Sequence, residues 1–308
     1  MEHFNKSMEQ KKQMIKNPVI AGLFADPDII KVGDTYYLYP TTDGFEGWSG
    51  TQFHAFSSKD LAVWKDEGII LDLAAGQVPW AVGSAWAPAM YYRNGKYYFY
   101  FCGKRADGDS CIGVAVSDAP DKGFQADAEP LITLELVRGQ GCEITQTIDP
   151  SIYEEDGQVY LLFGNCAAVA VQLQEDLRSI RPETMKNIEG LKDFRESVIV
   201  LKRNGKYHFT WSCDDTGSEN YHVNYGVSDS LYGPVEYQYT ILEKEKEKDI
   251  LGTGHHCIFS DGVNDYIGYH RFATPTQNYP EGKGFHREVC ISPLEFDEKN
   301  NRIKKVVF

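Results

Sequence analysis

Long apolar runs are missing from this chain: none approaches the roughly 18 residues that a membrane-spanning helix needs. Positive charge is scarce. Against 45 aspartates and glutamates stand only 31 lysines and arginines, a formal net charge of −14. A phosphate backbone or an anionic bilayer would repel such a surface, so neither nucleic acid nor membrane is an expected partner. The seven cysteines form no CxxC pair and are odd in number, which argues against a zinc knuckle or a disulfide framework. Cys102, Cys166 and Cys213 close apolar strand-like runs and read as small buried hydrophobes. No Pro-, Gly- or Ser-rich linker divides the chain, and no 3.6-residue period persists long enough to predict a long helix. The first 17 residues carry charges without the apolar stretch of a leader, which predicts a polar arm and a cytoplasmic location, or secretion if a leader has been trimmed away.

What the chain does have is aromatic side chains, 13% of residues, set in short runs of strand-forming residues. TYYLYP at 35–40, KYYFYF at 96–101, VYLLF at 159–163, KYHFTW at 206–211 and YIGYH at 266–270 each follow a turn carrying glycine. That is the pattern of a hairpin's second strand. Eleven residues before a tyrosine in each run stands a strong polar or aromatic head: Asp26, Trp86, Asp149, Glu196 and His255, ahead of Tyr37, Tyr97, Tyr160, Tyr207 and Tyr266. Successive leads are 60, 63, 47 and 59 residues apart. A repeat of this period, one small sheet per copy, predicts an all-β five-bladed β-propeller over residues 18–308 as a single domain. The alternating charges of EKEKEKD at 243–249 read as a solvated loop or outer strand.

In a closed ring, equivalent positions face one axis, so the five leads are expected to meet there. Two Asp-Pro aspartates and a glutamate turned into one centre would repel and lose hydration, so stability alone would not select them. A glutamate shielded by aromatics stays protonated, while an aspartate rich in hydrogen bonds stays ionised; such a pair suits glycosidic bond cleavage. His255, from GTGHHC, is the candidate ligand, direct or through water, for a hard cation such as Ca2+. His256 points the other way and reads as packing. Trp86 offers a flat wall for a sugar face. Arg271, in GYHRF, is a candidate fork for sugar hydroxyls, and Phe45 and Trp48, in DGFEGWSG, candidate pocket walls.

ADPD, WAP, IDPS, the Glu-Ser-Val at 196–198 and GTGHH, in that order, resemble glycoside hydrolase family 43. The likeness covers about residues 18–308. It implies a five-bladed propeller of the arabinofuranosidase, β-xylosidase and arabinanase type. By that resemblance Asp26 is the general base, Glu196 the general acid and Asp149 the residue that tunes and orients the acid. His255 matches a histidine facing a central metal often taken as calcium, and Arg271 an arginine against substrate. No organic cofactor is implied. The β-sandwich that follows the propeller in many β-xylosidases is not among these 308 residues. The expected activity is therefore removal of terminal α-L-arabinofuranose from plant cell-wall oligosaccharides. A β-D-xylosidase or dual-specificity enzyme is the first alternative, and a non-catalytic carbohydrate-binding propeller the second.

Overall fold

A computed structural model describes residues 15–280 and 283–308. Of the polar arm expected over 1–17, residues 1–14 lie outside the described residues. The rest form five antiparallel sheets. The first blade holds β1 (Phe24–Val32), β2 (Thr35–Thr42), β3 (Gln52–Ser58) and β4 (Trp64–Asp72). The second holds β5 (Gly83–Arg93), β6 (Lys96–Lys104), β7 (Ser110–Ser117) and β8 (Gln125–Ala126). The third holds β9 (Ser151–Glu155), β10 (Gln158–Phe163), β11 (Ala168–Gln172) and β12 (Lys186–Ile188). The fourth holds β13 (Phe194–Arg203), β14 (Lys206–Cys213), β15 (His222–Ser228) and β16 (Glu236–Leu242). The fifth has β17 (Gly254–Ser260), β18 (Asp265–Phe272) and β19 (Arg287–Leu294). One short helix, α1 (Leu134–Gly139), joins the second and third blades, and the Thr133 side chain caps it. The five-bladed β-propeller is thus observed.

Each hairpin between first and second strands is set by its turn. Asp156-Gly157, Asn94-Gly95 and Asn204-Gly205 are two-residue loops with positive φ at both positions, the twist that matches paired strands. Apolar residues fill the gaps between blades: five buried clusters, one in each gap, seat one sheet on the next. Truncating a fully buried ring such as Phe99 or Trp211 would cost about 3–5 kcal/mol. The ring closes through the segment ahead of β1. Asn17 exchanges two hydrogen bonds with the Ile291 backbone, and the Val19 N–H bonds to Val289 O. That segment stands where the other sheets have a fourth strand. The charged run at 243–249 lies at the surface between the fourth and fifth blades, where Lys244 and Lys246 pair with Glu219.

The inner strands carry the feature that builds the site. In β1, β5, β13 and β17 the ladder is interrupted by a bulge, and β9 begins just past the same point. One residue at each place is left-handed: Asp26, Ala87, Asp149, Ser197 and His255, with φ of 49°, 39°, 59°, 56° and 40°. Two residues on, Asp28, Ala89, Ser151, Ile199 and Cys257 resume pairing with Tyr39, Tyr100, Leu162, Thr210 and Gly268.

This corrects the eleven-residue register in two blades. The true equivalents of Asp26, Asp149 and His255 are Ala87 and Ser197, each one residue after the expected lead. The cause lies in the marker tyrosines. Tyr37, Tyr160 and Tyr266 pair with the residue four after the left-handed position (Ile30, Tyr153 and Phe259), but Tyr97 and Tyr207 pair with the residue five after it (Tyr92 and Lys202). Counting back eleven from them lands one residue early. Cys166 also departs from expectation: it is exposed and left-handed, whereas Cys102 and Cys213 are buried, and all seven cysteines are free.

Candidate active site

A bulge with a left-handed residue re-aims the strand, so two consecutive side chains can reach one side. Ile148 and Asp149 do so. They share a cavity of about 340 Å³ with Asp26, Trp86, Glu196, His255 and Arg287. The three acids, the histidine and the tryptophan singled out in the sequence therefore meet in one place, despite the register error. Asp149 and His255 also line a second cavity, of about 310 Å³, which Ser197 borders without reaching the first. Asp149 and His255 thus form the floor between the two.

Asp26 is buried and ringed by donors. Arg287 Nη1 lies 3.0 Å from its Oδ1 and His270 Nδ1 2.9 Å. Burial alone would raise this carboxyl, but the Arg287 charge, His255 and the His270 hydrogen bond outweigh it and hold the group well below the usual range. Asp26 is therefore ionised. His270, buried beside Arg287, has its own pKa lowered and is neutral. A neutral ring with its proton on Nδ1 donates it to the carboxylate, the shorter of its two contacts with Asp26; the backbone N–H lies at 3.3 Å.

Glu196 has the opposite character. Burial pushes its carboxyl up to about 7, against a lowering hydrogen bond from Tyr221 and with the Asp26 charge adding to the rise. Tyr221 OH donates to Oε1 at 2.8 Å and Asn165 Nδ2 to Oε2 at 3.0 Å. Arg195 Nε stands 3.9 Å from Oε2 while its Nη2 pairs with Asp215. Asp149, buried next to Glu196 and Asp26, is also raised, first by burial and then by those charges. Three carboxyls at one centre cannot all ionise. Arg287 assigns the negative charge to Asp26 and leaves protons for the other two.

His255 Nδ1 lies 3.5 Å from Asp26 Oδ1 and 3.6 Å from Asp149 Oδ2. Burial pushes its pKa down to about 4, so the ring is neutral at ordinary pH. Asp149, Glu196 and His255 offer ligand atoms within 4.8 Å of one another, and the buried Asp149 Oδ2 has no hydrogen-bond partner among the described residues. Tyr221 and Asn165 already occupy Glu196. The imidazole and the orphaned Asp149 oxygen fit a hard cation whose shell is completed by water. His256, as expected, packs: it is buried and bonds to Thr210 Oγ1 at 2.6 Å.

The rim is built from loops of the first, fourth and fifth blades together with Trp86 of β5. Trp86 Nε1 donates to Trp48 O, and Trp48 Nε1 to Gly284 O, both at 2.6 Å. Gly44 N bonds to Phe285 O, also at 2.6 Å. A Cβ on Gly284 would lie 2.7 Å from Gly217 Cα, so the loops of the fourth and fifth blades touch backbone to backbone. This continuous arc walls one side of the cavity. Lys104, its Nζ 4.9 Å from the Trp86 ring centre, Gln146 and Arg195 complete the lining.

Two expected contacts fail. Arg271 does not line the cavity: its Nε binds Glu288 Oε1 at 2.8 Å, and Glu288 also takes the Thr274 hydroxyl. Strand alternation explains it, since His270 faces Asp26 and its neighbour must face away. Phe45 is 49% exposed and outside the lining, whereas Trp48 is part of it. The buried arginine in the cavity is Arg287, which sequence reasoning missed. It is held by Asp43 through Nε at 2.8 Å and reaches Thr216 through Nη1 at 3.2 Å. Its signal was an arginine in step with the buried Val289 and Ile291.

A ring of sheets that turns an ionised aspartate and a protonated glutamate into one cavity has the makings of a glycoside hydrolase. The profile of glycosyl hydrolases family 43 matches residues 15–301. The β-D-galactofuranosidase xynD of Aspergillus niger is 32% identical over 92% of this chain and 82% of its own length. A xylosidase/arabinosidase of Bacteroides ovatus is 27% identical over 89% and 92%. A solved thermostable family-43 glycoside hydrolase superposes with a TM-score of 0.80 at 25% identity, covering 96% of each chain. The chain belongs to glycoside hydrolase family 43 and is a glycosidase, which removes the non-catalytic alternative.

Proposed function

We propose that this glycosidase removes terminal α-L-arabinofuranosyl residues from arabinoxylan or arabinan oligosaccharides with inversion. The observation that carries the reading is the pair of unlike carboxyls in one cavity, Asp26 ionised by Arg287 and Glu196 raised by burial. Glu196 gives its proton to the departing oxygen. Asp26 takes a proton from a water that attacks the anomeric carbon from the opposite face. Asp149, buried next to Glu196, tunes and orients the acid. Arg287, whose Nη1 is shared between Asp26 and Thr216 at the cavity wall, orients hydroxyls of the terminal sugar. Trp86 supplies the flat wall. A Ca2+ ion held by His255 with water would add positive charge beside Asp149.

The arc of loops supports exo action, because a chain end can enter a cavity walled on one side but a continuing chain cannot cross it. The furanoside preference draws on the galactofuranosidase relative. β-D-Galactofuranose and α-L-arabinofuranose share their ring configuration and differ in the exocyclic arm. The xylosidase/arabinosidase relative favours β-D-xyloside as the second reading. Nitrophenyl α-L-arabinofuranoside, β-D-xyloside and β-D-galactofuranoside, assayed side by side, decide between them. The arabinofuranoside should show the highest kcat/KM, and the first product seen by proton NMR should have the opposite anomeric configuration. A faster xyloside or galactofuranoside would replace the substrate, and a retained configuration would replace the mechanism.

A further inference from the structure

The acid and the base are each gripped from behind by a residue outside the cavity lining, and those two residues touch. Tyr221 donates its hydroxyl to Glu196 Oε1 at 2.8 Å, and His270 Nδ1 lies 2.9 Å from Asp26 Oδ1. Both rings are fully buried. They stack face to face, with centroids 5.5 Å apart and planes 3° from parallel. His270 comes from the fifth blade, in β18. Tyr221 comes from the fourth, at the end of the 214–221 loop before β15. We infer that Tyr221 and His270 act as one positioning unit, which holds the Glu196 and Asp26 carboxyls at a fixed separation across the sugar.

Gly254 makes the stack possible. It pairs with His270 in the ladder, and a Cβ there would lie 2.3 Å from Tyr221 Cε1 and 2.5 Å from Cδ1. Only glycine at this position lets the tyrosine ring lie over the strand and reach Glu196. The loop that carries Tyr221 is itself tied to the fifth blade through the Gly252 N–H to Glu219 O hydrogen bond at 3.1 Å. A shift between the fourth and fifth blades would therefore move acid and base together rather than apart. Ser212 belongs to the same layer, since its hydroxyl receives the His255 backbone N–H at 2.9 Å.

Neither ring lines the cavity, so their effect on turnover passes through the carboxyls they hold. The inference rests on Glu196 as acid and Asp26 as base. Two substitutions at one position separate its halves. Tyr221→Phe keeps the stacked ring and removes only the hydroxyl. Tyr221→Leu removes the ring as well, and with it the seat of His270.

The test measures kcat and KM for wild type, Tyr221→Phe, Tyr221→Leu and Glu196→Gln on an arabino-oligosaccharide and on dinitrophenyl arabinofuranoside, which needs no acid. Tyr221→Phe should lower kcat on the oligosaccharide by about 10- to 100-fold, the worth of a hydrogen bond to a chargeable group. Its KM should stay within about twofold, and its dinitrophenyl rate should be nearly unchanged. Tyr221→Leu should lower the dinitrophenyl rate as well, because the base loses its support. Should the two variants turn over the dinitrophenyl substrate equally fast, the rings are not one unit. Wild-type oligosaccharide turnover by Tyr221→Phe, with Glu196→Gln inactive, likewise overturns the inference while sparing the reading beneath it. Full oligosaccharide activity in Glu196→Gln would sink that underlying reading instead. Tyr221→Phe, the milder change, keeps the test decisive if Tyr221→Leu does not fold.

Discussion

Arg287, at the start of the last strand, lies 3.0 Å from Asp26 at the start of the first, although the two are 261 positions apart in sequence. This contact fixes which of the three central carboxyls carries the negative charge. The guanidinium favours the anion, so removing it raises the Asp26 pKa and shifts the acid limb of kcat/KM to higher pH. Arg287→Met should show that shift in a pH–rate profile. It should also lower stability by about 3–5 kcal/mol in denaturant melts, because Asp43 is left buried without its partner.

Glu196 works in the other direction. Its folded-state pKa of about 7 lies above the ordinary carboxylate value, so the folded state holds this proton more tightly than the unfolded chain. The resulting stabilisation is full below about pH 4.5 and is lost as pH rises through 7. Glu196→Gln, which mimics the protonated form, escapes that loss. Its advantage in stability over wild type should grow between pH 4.5 and 7.5, to an order of 2–3 kcal/mol, and then level off. Melting curves across this range check it, and the wild-type alkaline limb of kcat/KM should fall in the same window.

Gly284 is where the rim is thinnest. A methyl group there would press on Gly217 Cα at 2.7 Å and on Trp48 Cζ2 at 3.1 Å. Gly284→Ala should part the loops of the fourth and fifth blades and loosen Trp48. The expected result is a KM for short substrates raised by several-fold with a smaller change in kcat, measured by initial rates.

Arg271 should behave as a structural residue. Arg271→Met breaks its buried pair with Glu288 and leaves that carboxylate to Thr274 alone. A stability loss of about 3 kcal/mol is expected, with KM unchanged within about twofold. A selective rise in KM at unaltered melting temperature would return Arg271 to the substrate.

The five sheets were legible because each hairpin repeats its turn and its aromatic strand. The central acids were legible because three chargeable residues recurred at one spacing. The spacing was right for Asp26 and Asp149 and wrong by one for Trp86 and Glu196. A tyrosine paired one place further past the bulge hid the shift. The expected positions Trp86 and Glu196 reach the cavity all the same, because each stands one residue before the left-handed turn of its strand, as Ile148 does before Asp149. Arg287, Tyr221, Asn165 and His270 were not found. Their roles depend on loops and strands of other blades, and nothing in their local text marks a partner 25 to 261 positions away. Arg271 was chosen for its planar fork after the fifth inner strand, and by resemblance, where strand alternation pointed to its neighbour.

The account stands on Glu196 and Asp26 acting from opposite sides of one sugar. Its most direct test compares Glu196→Ala and Asp26→Ala on an arabino-oligosaccharide and on dinitrophenyl arabinofuranoside. Glu196→Ala should lose about 10²–10⁴-fold on the oligosaccharide but little on the activated substrate, while Asp26→Ala should lose activity on both. Equal losses for Glu196→Ala on the two substrates, or substantial turnover by Asp26→Ala, would contradict it.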